Sequence, residues 1–151
     1  MTVIAWDGKT LAADTLLTYG DVRTTGYVKI KDIGDCVYAI TGKMNHFEPL
    51  MAWHRDGCIV ADYPEECKDT STLVVVDKRS GECMSYICSP YPCISEGVDA
   101  WGCGMVMAFG AMYAGASAAE AVQICIDHCD GVGGTVMSVT VAGTKPRRKK
   151  V

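Results

Sequence analysis

The first fourteen residues constrain the fold more than any other stretch. Thr2-Val3-Ile4-Ala5-Trp6-Asp7-Gly8-Lys9-Thr10-Leu11-Ala12-Ala13-Asp14 reads as two short strands, residues 2–6 and 9–13, joined at Asp7-Gly8. An Asp-Gly pair suits the positive φ angles of a tight hairpin turn, so the chain is predicted to open on a β-hairpin. The threonine behind Met1 also has a chemical meaning. Loss of Met1 would leave the Thr2 amine beside its own hydroxyl, a base and a nucleophile on one residue, because an α-amine titrates near ~7.7–8.0. A small second residue permits that trimming.

A polar loop is expected around Tyr19-Gly20-Asp21. Residues 28–33 and 36–41 then read as a second strand pair turned at Gly34-Asp35. Residues 43–55 suit a helix with Met44, Phe47, Leu50, Met51 and Trp53 on its buried face, either kinked at Pro49 or starting near Glu48. Residues 58–69 read as a loop, and 72–76 with 82–88 as strands around a 77–81 turn, with a weak strand near 93–95. Helical composition returns at 104–113. Ser117 followed by Glu120 is a capping-box signature that opens a helix to about Cys129, with Ala121, Val122, Cys125, Ile126 and Cys129 inward. A glycine turn at 131–134 leads to a last strand at 135–141. Strands, helix, strands, two helices and a strand predict an α+β domain of antiparallel sheets with helices outside.

The chain's 151 residues suffice for one domain, and 49% hydrophobic with 21% charged residues is globular composition. No apolar run reaches the ~18 residues of a membrane span. The N-terminus lacks the basic and apolar regions of a secretion signal, which makes the cytoplasm the expected location. Nine cysteines, at 36, 58, 67, 83, 88, 93, 103, 125 and 129, include no Cys-x-x-Cys pair. Reduced thiols are expected, since the spacing of Cys83, Cys88, Cys93, Cys125, Cys129 and His128 fits no common zinc pattern. Lys145, Arg147, Arg148, Lys149 and Lys150 form a basic tail, leaving nine basic residues against eighteen acidic ones elsewhere. That balance argues against a nucleic-acid-binding body.

The opening hairpin, followed by Lys29-Ile30, Thr41-Gly42, Gly102-Cys103-Gly104 and Ala114-Gly115-Ala116-Ser117-Ala118-Ala119-Glu120-Ala121-Val122, resembles the proteasome β-subunit family of N-terminal-nucleophile hydrolases. The resemblance covers roughly residues 2–142 and is strongest to compact HslV-like members, especially those encoded by bacteriophages. It implies a four-layer αββα sandwich over residues 2–143, followed by the basic tail at 144–151. The family places two long helices between its early and middle strands. Only residues 43–69 are available here, so that helical layer is expected to be reduced.

The same resemblance assigns roles. Thr2 would be the nucleophile, Asp14 and Lys29 the charged pair beside it, and Gly42 the turn that offers backbone N–H groups to an oxyanion. Lys31 is the alternative to Lys29, two residues along the same strand face. Cys103 occupies the position of a family serine and is a weaker hydrogen-bonding group. Asp127 matches the late aspartate that buttresses this serine, with Asp130 as the competing position. His46, His54 and His128 receive no catalytic role. No cofactor or metal is implied. The expected function is a threonine endopeptidase acting on peptides or unfolded proteins, assembled as a homo-oligomeric ring with Met105, Met112 or Tyr113 at a subunit contact. A separate ATPase would be a natural partner. The alternative is a proteasome-fold assembly protein without turnover.

Overall fold

The computed structural model describes residues 2–141; Met1 and residues 142–151, with the basic tail, lie outside the described residues. The opening hairpin forms as β1 (Val3–Trp6) and β2 (Thr10–Asp14), with Ile4 opposite Ala13 and Trp6 opposite Leu11. Its turn differs from the expected pair of positive φ angles, since only Gly8 adopts one. The Asp7 carboxylate does the rest, accepting the N–H groups of Lys9 (3.0 Å) and Thr10 (2.7 Å).

The polar loop around residue 20 is itself a small exposed hairpin, β3 (Leu17–Tyr19) with β4 (Val22–Thr24). Next come β5 (Ile30–Ile33), starting two residues later than expected, and β6 (Cys36–Thr41). A three-residue 3-10 turn then leads into α1 (Phe47–Arg55). Pro49 sits in the first turn of α1, where its missing N–H has no intrahelical acceptor to lose. Beyond short turns at Val60–Asp62 and Glu65–Cys67 follow β7 (Thr72–Asp77), β8 (Cys83–Ile87), β9 (Pro92–Ile94) and β10 (Asp99–Gly102). The chain closes with α2 (Met105–Tyr113), α3 (Ala118–His128) and β11 (Val136–Thr140). The capping box forms: Ser117 Oγ accepts the Glu120 N–H, and Glu120 Oε2 accepts the Ser117 N–H.

Besides the β3–β4 pair, the described residues form two larger antiparallel sheets, ordered β10-β1-β2-β11 and β5-β6-β7-β8-β9. The two-residue period of a strand sorts the opening hairpin between two cores. Ile4, Trp6, Leu11 and Ala13 pack between the sheets against Val37, Ala39, Val74 and Val76. Val3, Ala5 and Ala12 turn the other way, onto Ala108, Met112, Ala121, Val122 and Cys125 of α2 and α3. On the far face of the second sheet Tyr38, Ile40, Leu73, Val75 and Tyr86 meet Phe47, Leu50, Met51 and Trp53 of α1. The layers are therefore α, β, β, α. Among the described residues the α1 layer holds that one α-helix, with Tyr63 and Cys67 of the following turns filling in beside it. No helix among the described residues is long and apolar enough to cross a membrane.

Candidate active site

Antiparallel pairing gathers the site residues at one end of the first sheet. Thr2 immediately precedes β1, Asp14 is the last residue of β2, and Gly102 ends β10 opposite Val3. From the second sheet Lys29, just ahead of β5, reaches into the same space.

There the three side chains form a closed cluster. Thr2 Oγ1 donates to Asp14 Oδ1 (2.8 Å) and accepts a short hydrogen bond from Lys29 Nζ, which also pairs with Asp14 Oδ1 at 2.9 Å. Asp14 and Lys29 are 0% and 1% exposed, and Thr2 is buried with them. Backbone donors complete the carboxylate: Val3 N–H to Oδ1 (3.1 Å), and Gly133 N–H (3.2 Å) and Leu16 N–H (3.4 Å) to Oδ2. A carboxylate can lose water this completely only when its lone pairs are taken up by such donors. Burial lowers the Lys29 pKa from its ordinary value, while the Asp14 charge pulls it upward. The threonine hydroxyl thus touches an ammonium that gives up its proton more readily than a solvated lysine.

Gly102 fits because it lacks a side chain: a Cβ there would lie 2.2 Å from the Thr2 carbonyl oxygen. Cys103, exposed beside it, donates its Sγ–H to that carbonyl at 3.3 Å. Gly42 follows the end of β6, two residues after Ile40, whose N–H donates to the Lys29 carbonyl (3.3 Å). A groove of about 330 Å³ opens between the segment before β5 and the start of α1, lined by Tyr27, Val28, Met44 and Phe47.

Lys31, the alternative to Lys29, belongs to that groove instead, paired with Glu48 and lying over the Phe47 ring at 5.0 Å. Asp127 does not join the cluster. It lies about 200° around α3 from the buried Cys125, which turns it to solvent, where it accepts from Gln123 Nε2 (2.9 Å). Asp130 is exposed too, but it precedes Gly131, whose carbonyl is 3.9 Å from Cys103 Sγ. His54 is tied to the Tyr38 hydroxyl (3.0 Å) in the α1 layer, where burial lowers its pKa, and His128 is exposed at the end of α3. Met112 is buried in the helical core, whereas Met105 and Tyr113 are exposed.

The sequence reading missed two contributors. One is Thr15, whose N–H donates to Gly133 O (3.2 Å) and whose Oγ1 accepts the Thr135 N–H (2.8 Å), holding the glycine turn against Asp14. The other is a buried Ser71–His46 pair behind Gly42. The only sequence signal for either was a polar residue next to a strand end.

No family model matches the chain, and no curated protein matches it. Among solved structures it is similar to Thiobacillus denitrificans BPH, with 23% identity and a TM-score of 0.70 over 92% of this chain and 96% of that one. The same protein in complex with epoxomicin aligns at 20% identity and a TM-score of 0.68, covering 92% and 96%. Eukaryotic HslV from Trypanosoma brucei aligns at 17% identity and a TM-score of 0.70, covering 92% and 97%. These end-to-end likenesses show the fold, the αββα sandwich of the HslV-type hydrolases.

Proposed function

We propose that this protein is an N-terminal threonine peptidase. The observation that carries the reading is the Thr2 hydroxyl buried between the Asp14 carboxylate and the Lys29 ammonium. Removal of Met1 would convert the Thr2 nitrogen from an amide into an amine able to take a proton. Thr2 Oγ then attacks a peptide carbonyl, and its proton passes to that amine directly or through a water. Backbone N–H groups at the Gly42 turn receive the negative oxygen. The leaving amine takes up the proton as the C–N bond breaks, and water hydrolyses the remaining ester to restore Thr2. Lys29 favours the unprotonated amine and steadies developing alkoxide, and Asp14 holds Lys29 in place.

The groove before α1, lined by Tyr27, Val28, Met44 and Phe47 with the Lys31–Glu48 pair at its rim, gives a substrate side chain somewhere to sit, consistent with peptides or unfolded chains as substrates. The BPH complex with epoxomicin offers a ready probe. The resemblance extends the proposal to a compact phage-type member of its family, working in a cytoplasm as a homo-oligomeric ring, with a separate ATPase as a candidate partner. The test is intact mass. Purified protein should have lost one methionine, epoxomicin should add its mass at Thr2, and Thr2→Ala should abolish both labelling and peptide hydrolysis while the chain stays folded. Label on Cys103, with Thr2→Ala still active, would sink the threonine mechanism. The second reading, an assembly protein without turnover, draws on Cys103 in the serine position and on Asp127 facing solvent. Full retention of Met1 after native expression would favour it.

A further inference from the structure

The reaction scheme leaves the polar pair behind Gly42 unused. Ser71 and His46 are 0% and 3% exposed, with His46 Nδ1 2.8 Å from Ser71 Oγ. Polar groups withdrawn from water this far must be compensated by hydrogen bonds, and the bonds they make converge on one turn. The last pair of the β6–β7 ladder is Thr41 with Thr72, which places Gly42 across from Ser71 where the next rung would fall. A side chain builds that rung: the Lys43 N–H donates to Ser71 Oγ at 3.2 Å. The Lys43 carbonyl in turn accepts the His46 N–H at 3.0 Å, and the His46 ring closes the circuit on the same serine oxygen.

Gly42 itself has φ +103°, and a Cβ there would lie 2.3 Å from Thr70 O and 2.6 Å from Ser71 Oγ. Only glycine allows the approach, yet glycine is also the loosest joint a backbone can have. An oxyanion donor works by being aimed before the charge appears, and a misplacement of about 1 Å can cost on the order of 10²-fold in rate. We propose that Ser71 and His46 are positioning residues that clamp the Gly42–Lys43 peptide on one side of the glycine while the Thr41–Thr72 pairing holds the other, so that the Gly42 N–H keeps a fixed aim at the oxyanion. The inference rests on the threonine-peptidase reading and adds to it the two side chains that take the slack out of the glycine.

Processed full-length protein, a peptide aldehyde and the matching peptide alcohol supply the test. The aldehyde forms a hemiacetal with Thr2 Oγ whose oxygen occupies the oxyanion position, whereas the alcohol reports binding alone. Ser71→Ala should weaken the aldehyde about tenfold and lower kcat by roughly the same factor, with alcohol affinity and KM unchanged. His46→Leu should behave like Ser71→Ala. His46→Asn, which keeps a hydrogen-bonding group near the Nδ1 position, should retain most of the wild-type preference. The His46 pair also decides the matter should Ser71→Ala fail to fold. Equal weakening of aldehyde and alcohol, or a wild-type ratio in both Ser71→Ala and His46→Leu, overturns the clamp. A wild-type protein without aldehyde preference overturns the threonine reading itself, and the clamp with it.

Discussion

Asp14 and Asp127 stand in similar sequence settings, each at the C-terminal end of a regular element, yet the fold treats them in opposite ways. Asp14 closes β2 and is fully buried, with Thr2, Val3, Leu16, Lys29 and Gly133 all directed at its two oxygens. Asp127, one residue before the end of α3, faces water and meets Gln123 one turn back. At a strand end, register with a neighbour fixes both the direction and the depth of a side chain. At a helix end, one residue of slip rotates the side chain by about 100°, and the resemblance that matched Asp127 gave no phase.

The contrast breaks most directly at Asp14. Asp14→Ala should abolish peptide hydrolysis and cost about 3–5 kcal/mol in chemical denaturation, because Lys29 would be left buried without its counter-charge. A stable, active Asp14→Ala would mean that the cluster is held by something other than this pair.

Lys29 provides the next largest effect. Its folded pKa lies below that of a free lysine, so between the two values the unfolded chain binds the extra proton. Stability should therefore rise with pH across that window, up to about the ordinary lysine value near 10.5, and Lys29→Met should flatten the rise as well as remove activity. Denaturant midpoints measured from pH 7 to 10.5 read this directly. Lys31→Met should leave the slope and the activity alone, altering at most the KM of substrates that enter the groove.

Thiol chemistry separates the same regions more gently. Cys103 and Cys93 are exposed, whereas burial raises Cys67 to about 11 and Cys125 to about 12. A disulfide reagent at pH 8 should modify Cys103 and Cys93 first, and modification of Cys103 should inhibit hydrolysis because its sulfur lies against the Thr2 carbonyl. Peptide mapping gives the order of labelling, and early reaction at Cys125 would contradict the packing of α3. The smallest effect belongs to the helix end. Asp127→Ala should change neither the denaturation midpoint nor the rate, while Asp130→Ala, beside the turn that approaches Cys103, should slow hydrolysis a few-fold. An inactive Asp127→Ala would restore that residue to the site.

What the sequence made legible follows from the same distinction. The hairpin strands, the turn glycines and the capping box are local, and residues 2–14 contain almost all the information needed to build β1 and β2. Lys29 lies just ahead of a strand whose pairing sets its direction, and it meets Thr2 and Asp14; Gly42 lies one residue past β6. The hairpin of β3 and β4 was hidden by its length, since two three-residue strands are too short to set a period. The strand β10 was hidden for a different reason. Asp-Ala-Trp-Gly is too short to announce itself and becomes a strand because β1 offers it a free edge. Ser71 and His46 could not have been paired from sequence, because their contact depends on the β6–β7 register that sets Ser71, just ahead of β7, across from Gly42.

The completeness of the Asp14 shell has a kinetic side. One of its donors, Lys29, lies fifteen residues downstream, and another, Gly133, lies 119 residues away. Contacts of such long range form late, because the intervening chain must be ordered first. A ribosome-bound chain therefore has Thr2, Asp14 and Lys29 long before it has the turn that seals the carboxylate from water. Thr2 is written first and its buried cluster is sealed last, and the time between is covered by the folding of everything else.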